Sequence, residues 1–200
     1  MRLPRGRHGL SREEVEASQR DRMLLALAAA MTEKGYVGTS VADVLKRSGV
    51  GRETFYQLFS SKADCFMQAF DAAGEMLLGR LDQAAGEADG SPLERFEHAL
   101  GVYLDLLAEQ PALARVFLVE VYAAGPEALA RRAALQERIV DRLAALLDAV
   151  TDRERFACQV LVAAVGSLVT TPLVADDTAA VRALRTKVVD LVRGALEPRT

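Results

Sequence analysis

The segment Thr39–Phe66, TSVADVLKRSGVGRETFYQLFSSKADCF, constrains the fold more than any other part of the chain. Two short amphipathic runs flank Ser48, Gly49 and Val50, and a capped third run follows. Ser40 with Asp43 three residues on has the pattern of a capping box. In it, side chain and backbone satisfy each other's orphan groups at a helix start. Val41, Val44 and Leu45 then share one helical face. Gly49 supplies the positive φ of a sharp turn at the least steric cost, and Val50 is the apolar residue such a turn buries. Phe55 and Phe59, four apart, give the second run an inner face and direct Arg52, Glu53, Tyr56 and Gln57 mostly outward. Ser61 with Asp64 opens the third helix as another capping box. This is the pattern of a helix-turn-helix, whose second helix enters the major groove of DNA.

Thr39 and Ser40 before Val41, then Val44, Gly49, Val50, Thr54, Phe55, Tyr56, Phe59, Ser61 and Lys62 stand in an order that resembles the TetR family of bacterial transcriptional regulators. The likeness is specific over this segment and looser over the rest of the chain. It implies a dimeric, all-helical DNA-binding protein, usually a repressor released by a small ligand. It also implies that Tyr56, Lys62 and the hydroxyls of Thr39 and Ser40 hold DNA phosphates. Arg52 and Gln57 are the candidates for base edges, Arg toward guanine and Gln toward adenine. Glu53 and Thr54 lie on the same short helix and complete the candidate DNA-binding set. The chain departs from the family pattern at four places. Gly51 replaces a capping Ser or Thr, Leu45 a small residue, Glu53 a small residue, and Leu58 a polar or aromatic one. Glu53 and Leu58 bear on which operator is read.

Charge is divided along the chain. Residues 1–62 hold 11 Lys and Arg against 7 Asp and Glu, a net +4, whereas residues 63–200 hold 14 against 21, a net −7. A basic head on an acidic body suits a DNA-binding module. The expected units are therefore 1–62, a basic arm with the helix-turn-helix, and 63–200, a helical ligand-binding and dimerisation body. Arg2, Arg5, Arg7, His8 and Arg12 form the arm, which either follows the DNA backbone or is a plain polar tail. The first dozen residues hold no apolar run, so no signal peptide is expected. Val160 to Ala175 is apolar but broken by Ser167, Thr170, Thr171 and Pro172, so no membrane span or membrane partner is expected. Cys65 and Cys158 lack metal-ligand spacing, and a reduced cytoplasm is the simplest setting.

The fold class is all-α, with about nine helices. Ser11 with Glu14 caps a first helix ending at Gly35, and the helix opened by Ser61 runs to about Ala85. Ser91, Pro92 and Glu94 start another; Pro111, Pro126 and Asp152 open three more, and the last runs from about Thr178 to Leu196. Val181, Leu184, Val188 and Leu191 follow heptad-like spacings, and Val160, Ala164 and Ser167 lie on a helix that is apolar nearly all round. These residues are the expected homodimer interface, two helices from each subunit forming a four-helix seam.

Two histidines, His8 and His98, form no zinc pair, and there is no nucleophile elbow, P-loop or dinucleotide fingerprint. No enzyme chemistry, cofactor or metal is therefore expected. The competing reading is an all-helical enzyme or small-molecule carrier with a fortuitous helix-turn-helix match. The expected partners are double-stranded operator DNA, a second copy of the chain and a small, largely apolar ligand. The family likeness places that ligand among the middle helices. Phe96, Tyr103, Phe117, Tyr122 and Phe156 are the candidate apolar walls, and His98, Glu120 and Gln159 the candidate polar contacts. Glu120, inside the apolar run VFLVEVY, needs a partner if buried, as ligand contact or internal ion pair.

Overall fold

The structure, a computed structural model, describes residues 11–87 and 89–196. Most of the basic arm therefore lies outside the described residues; Arg12 is within them and pairs with Glu16. Among the described residues there are ten α-helices, one 3-10 turn and no strand. They are α1 (Arg12–Gly38), α2 (Val41–Ser48), α3 (Arg52–Leu58), α4 (Lys62–Glu87), α5 (Pro92–Glu109), α6 (Pro111–Leu118), α7 (Pro126–Leu146), α8 (Asp152–Leu168), α9 (Thr170–Val174) and α10 (Thr178–Leu196). The 3-10 turn, Glu120–Tyr122, joins α6 to α7. Counted with α8, which it extends by one turn, α9 brings the total to the nine expected.

The helix starts follow from their caps. Ser11–Glu14, Ser40–Asp43 and Ser91–Glu94 form the expected reciprocal boxes. A fourth box, Thr151–Glu154, opens α8. At α4 the arrangement differs from a box: Ser61 Oγ accepts the Asp64 N–H, but the Asp64 carboxylate returns to Ser60 N at 2.7 Å. These carboxylates are held below their usual range. The Ser91 amide and hydroxyl lower Glu94, the Thr151 amide and hydroxyl lower Glu154, and Gln68 and the Ser60 amide lower Asp64. Lys34 and Ser40 lower Asp43.

A depressed folded pKa contributes stability above the unfolded value and loses it as pH falls. The ordinary values are 4.5 for Glu and 3.8 for Asp. The melting temperature is therefore expected to be flat at neutral pH and to fall progressively below about pH 4.5. Melts between pH 7 and pH 3 check this; a flat profile would show that the caps contribute nothing.

Two main cores result. The first joins Met23, Leu27 and Met31 of α1 with Val44, Phe55, Phe59, Phe66 and Phe70, and continues into Val116, Val121 and Ala128. The head is thus welded to the body through α4, α6 and the start of α7. The second joins α5, the end of α7, α8 and α10 around Leu104, Val169, Leu173 and Val181. On the outside, Asp71, Glu75 and Asp82 of α4 pair with Arg131, Arg138 and Arg142 of α7. Exposed pairs of this kind are worth little singly, but they fix which faces of α4 and α7 meet.

Candidate nucleic-acid interface and ligand cavity

The helix-turn-helix is built as its residues require. Gly49 takes φ 66° and ψ 23° after α2, and its N–H donates to the Leu45 carbonyl. The Ser48 hydroxyl accepts the Val50 N–H at 3.3 Å, which ties the turn, and Val50 is buried. Phe55 and Phe59 are fully buried with ring centroids 5.2 Å apart. With those rings inside, Arg52, Glu53, Tyr56 and Gln57 are all exposed. Tyr56 stands edge-on to Phe55, which props its ring outward. Thr54 is half-buried. Among the described residues Arg52, Tyr56 and Gln57 make no side-chain hydrogen bond or ion pair. Three groups able to meet DNA thus leave one short helix with their polar ends uncommitted. Ser40 is exposed beside them, its hydroxyl donating to Asp43.

Two candidate phosphate ligands are placed otherwise. Thr39 is 2% exposed and its hydroxyl donates to the Gly35 carbonyl at 2.8 Å, so it caps α1 instead of facing DNA. Lys62 donates to the Tyr36 and Thr39 carbonyls at 2.8 and 2.9 Å and lies 4.2 Å from the Tyr36 ring centroid. Its ammonium is engaged inside the head, and burial lowers its pKa. α1 is interrupted at Gly35, with φ 68° and ψ 170°, and ends at Gly38. Lys62 and Thr39 satisfy carbonyls at that helix end, those of Tyr36 and Thr39 for Lys62 and that of Gly35 for Thr39. Glu120, a buried acid of the body, accepts the Tyr36 N–H at 2.6 Å. It caps a backbone N–H from body to head and forms no ion pair among the described residues. Burial of an acid within an apolar run signalled a partner; which partner was not readable from spacing.

In the body, a cavity of about 90 Å³ opens between α4, α5, α7 and α8. Phe96 and Tyr103 line it with Leu81, Ile139, Leu143 and Leu161. Phe117 lies instead at a second hollow of about 30 Å³ bounded by α4, α5 and α6. The other ligand candidates fall elsewhere. His98, Tyr122 and Phe156 are exposed, since their side chains lie on outer helix faces, and Gln159 is half-buried off the cavity wall. Tyr122 packs under Arg132.

The assembly residues also divide. Val181 and Val188 are buried in the protomer's own second core, with Leu184 packed against it, so they are not free to form a seam. The apolar stripe of α10 is consumed inside the protomer, largely by α5, and Leu191 is left outside it. The outer faces carry Val160, Ala164 and Ser167 of α8 and Leu191 of α10, all exposed. Phe156, Leu168 and Val174 extend the same exposed apolar surface. With α9 continuing α8, Asp152–Val174 reaches the length and mean hydropathy of a membrane span by composition, and 28% of its most apolar 18-residue window is buried in the protomer.

The family model described as "Bacterial regulatory proteins, tetR family" matches residues 24–69, and that described as "Tetracyclin repressor-like, C-terminal domain" matches residues 89–173. This chain belongs to the TetR family. The TetR-family chain is a ligand-responsive, DNA-binding transcriptional regulator. It is 27% identical over 157 residues to the HTH-type transcriptional regulator EthR of Mycolicibacterium smegmatis, covering 78% of this chain and 70% of that one. A second relative, an HTH-type regulator encoded in the lacX 3' region of Lactococcus lactis, is 29% identical over 87 residues, 43% of this chain and 44% of that protein. Among solved structures, the fatty acid degradation regulator FadR of Bacillus halodurans superposes with a TM-score of 0.80 at 22% identity, over 90% of this chain and 97% of that one. FadR of Bacillus subtilis, solved in complex with stearoyl-CoA, gives 0.76 at 20% identity, over 88% and 99%. These two likenesses establish the fold, head and body together, for the TetR-family chain.

Proposed function

We propose that the protein is a cytoplasmic homodimeric repressor that binds a near-palindromic operator through α3 and releases it when a small, largely apolar ligand enters the body. Residues 1–62 act as the DNA-binding unit and 63–200 as the ligand-binding and dimerisation unit. The observation that carries this is the face of α3. Arg52, Tyr56 and Gln57 project together, exposed and uncommitted, from a helix anchored by two buried phenylalanines. Arg52 and Gln57 read base edges; Tyr56 and Ser40 hold phosphates; Glu53 and Thr54 shape the contact. The exposed apolar surface of α8 and α10 supports a second copy as its cover, because twofold DNA sites are matched by twofold proteins.

The cavity supports ligand control. At about 90 Å³ it is smaller than the ~150 Å³ cavity that admits benzene in an engineered protein. A larger ligand must widen it by moving α4 or α7, and α4 carries the head. Such a ligand favours the widened state by its differential affinity, which is what shifts a two-state equilibrium. The stearoyl-CoA bound by the Bacillus subtilis relative supports a ligand with an apolar chain.

Selection of bound DNA from a random pool tests the reading head. The expected product is a near-palindrome with half-site centres about 34–36 Å or a multiple apart. Arg52→Ala is expected to cost roughly 1–3 kcal/mol and to relax one base position in each half-site. An unchanged motif in that variant would make Arg52 a phosphate contact, and no enriched motif in the parent would reject sequence-specific binding.

A further inference from the structure

We infer that the body cavity takes a neutral, largely apolar molecule bearing a carbonyl group, whose oxygen accepts a hydrogen bond from the Tyr103 hydroxyl. This rests on the ligand-responsive reading above and names the chemistry of that site. The walls are almost wholly hydrocarbon: Leu81, Phe96, Ile139, Leu143 and Leu161 enclose most of the space. Tyr103 is the uncharged polar side chain among the cavity-lining residues. Its hydroxyl has no hydrogen-bond partner among the described residues. Burial pushes the phenol up to about 12 against a smaller opposing pull from the Arg132 cation, so at neutral pH it carries its proton and is a donor. A tyrosine placed against apolar surroundings ordinarily finds a partner for its hydroxyl. Here the open space beside it is the cavity.

Charge on the same wall argues against an anion. Arg142 is the one charged lining residue, and its charge is already paired by Asp82. Nε and Nη2 donate to the two Asp82 oxygens at 2.6 and 2.8 Å, and Nη1 donates to the Arg138 carbonyl at 3.1 Å. A ligand carboxylate would share this cation with Asp82, which already neutralises it. An alcohol would answer Tyr103 but bring its own proton into a hydrocarbon wall, where an unmatched polar group is costly. A carbonyl supplies an acceptor and nothing that needs satisfying in return beyond a second lone pair. The wall thus selects an uncharged acceptor within an apolar frame.

The test uses the full-length protein and three probes of similar size: pentyl methyl ketone, its isostere with CH2 in place of the carbonyl oxygen, and hexanoate. Binding is read by calorimetry and by the ring signals of labelled tyrosine, of which the chain has four. The ketone is expected to bind roughly 3- to 10-fold more tightly than the alkene and to move the Tyr103 signal. In Tyr103→Phe, which keeps the ring, that preference should vanish while the alkene binds as before. A ketone that binds no better than the alkene, or a preference that survives in Tyr103→Phe, overturns the carbonyl assignment but leaves an apolar ligand site. Tighter binding of hexanoate that is lost in Arg142→Gln overturns the neutral class in favour of an anion. Failure of all three probes to bind overturns the inference and removes the cavity's support for ligand control.

Discussion

Val160→Asp is expected to give a folded monomer whose operator affinity is lower by roughly 10²–10⁴-fold. The magnitude is that of losing a second, linked half-site contact, which a dimer makes intramolecularly. Val160 is 51% exposed on α8, so an aspartate there is solvated in the isolated protomer and costs little to folding. In a dimer covering this face, the same carboxylate would be buried without a partner, which is strongly unfavourable. Leu191→Asp on the exposed face of α10 should act in the same direction. Val181→Asp is the control. Val181 is fully buried within the protomer, so its replacement should unfold the body outright. Leu184, packed against that same core, would report on folding as much as on assembly. Sedimentation and operator titration of the Val160 variant separate the cases. An intact dimer with undiminished DNA binding would place the interface on another face.

The division within α10 shows what spacing in a sequence can and cannot say. Val181, Leu184, Val188 and Leu191 are regularly spaced, yet a regular spacing does not say which neighbour covers each residue. Val181 and Val188 turn toward α5, whereas Leu191 stays outside. A stripe buried within the protomer and an apolar residue outside it look from sequence like one seam. The head was far more legible, because its signals are local. Ser40, Asp43, Gly49, Phe55 and Phe59 act within a few residues of themselves, and each takes the cap, turn or core position its chemistry requires. Family likeness added the expected phosphate ligands, and there the long-range contacts intervened. Thr39 and Lys62 are drawn inward by the Gly35, Tyr36 and Thr39 carbonyls at the end of α1. The cavity wall was legible for Phe96 and Tyr103, which lie on the inner face of α5. Exposed Phe156 and Tyr122 were not separable from core aromatics by composition alone.

Glu120→Ala is expected to lower stability by about 1–3 kcal/mol, the usual cost of leaving a buried donor without its acceptor. The donor is the Tyr36 N–H, which the Glu120 carboxylate accepts at 2.6 Å. It cannot find its ordinary helical partner, because Gly35 sits at φ 68° and interrupts the helix before it. Water is excluded there, since Glu120 itself is only 9% exposed. The consequence should extend beyond stability. Tyr36 is held on one side by Glu120 from the body and on the other by Lys62 from the start of α4. Four residues later the chain begins α2 at Ser40 and Val41, so this peptide sets where the helix-turn-helix leaves α1. About 1.4 kcal/mol falling on that orientation corresponds to a tenfold loss of operator affinity. Glu120→Gln retains a carbonyl acceptor of nearly the same reach and should restore most of both losses. The measurement is a pair of melts and operator titrations for the two variants. A Glu120→Ala protein that melts and binds like the parent would show that the bond from body to head carries no load. A glutamine variant as damaged as the alanine one would show that the charge, rather than the hydrogen bond, is what holds the two together.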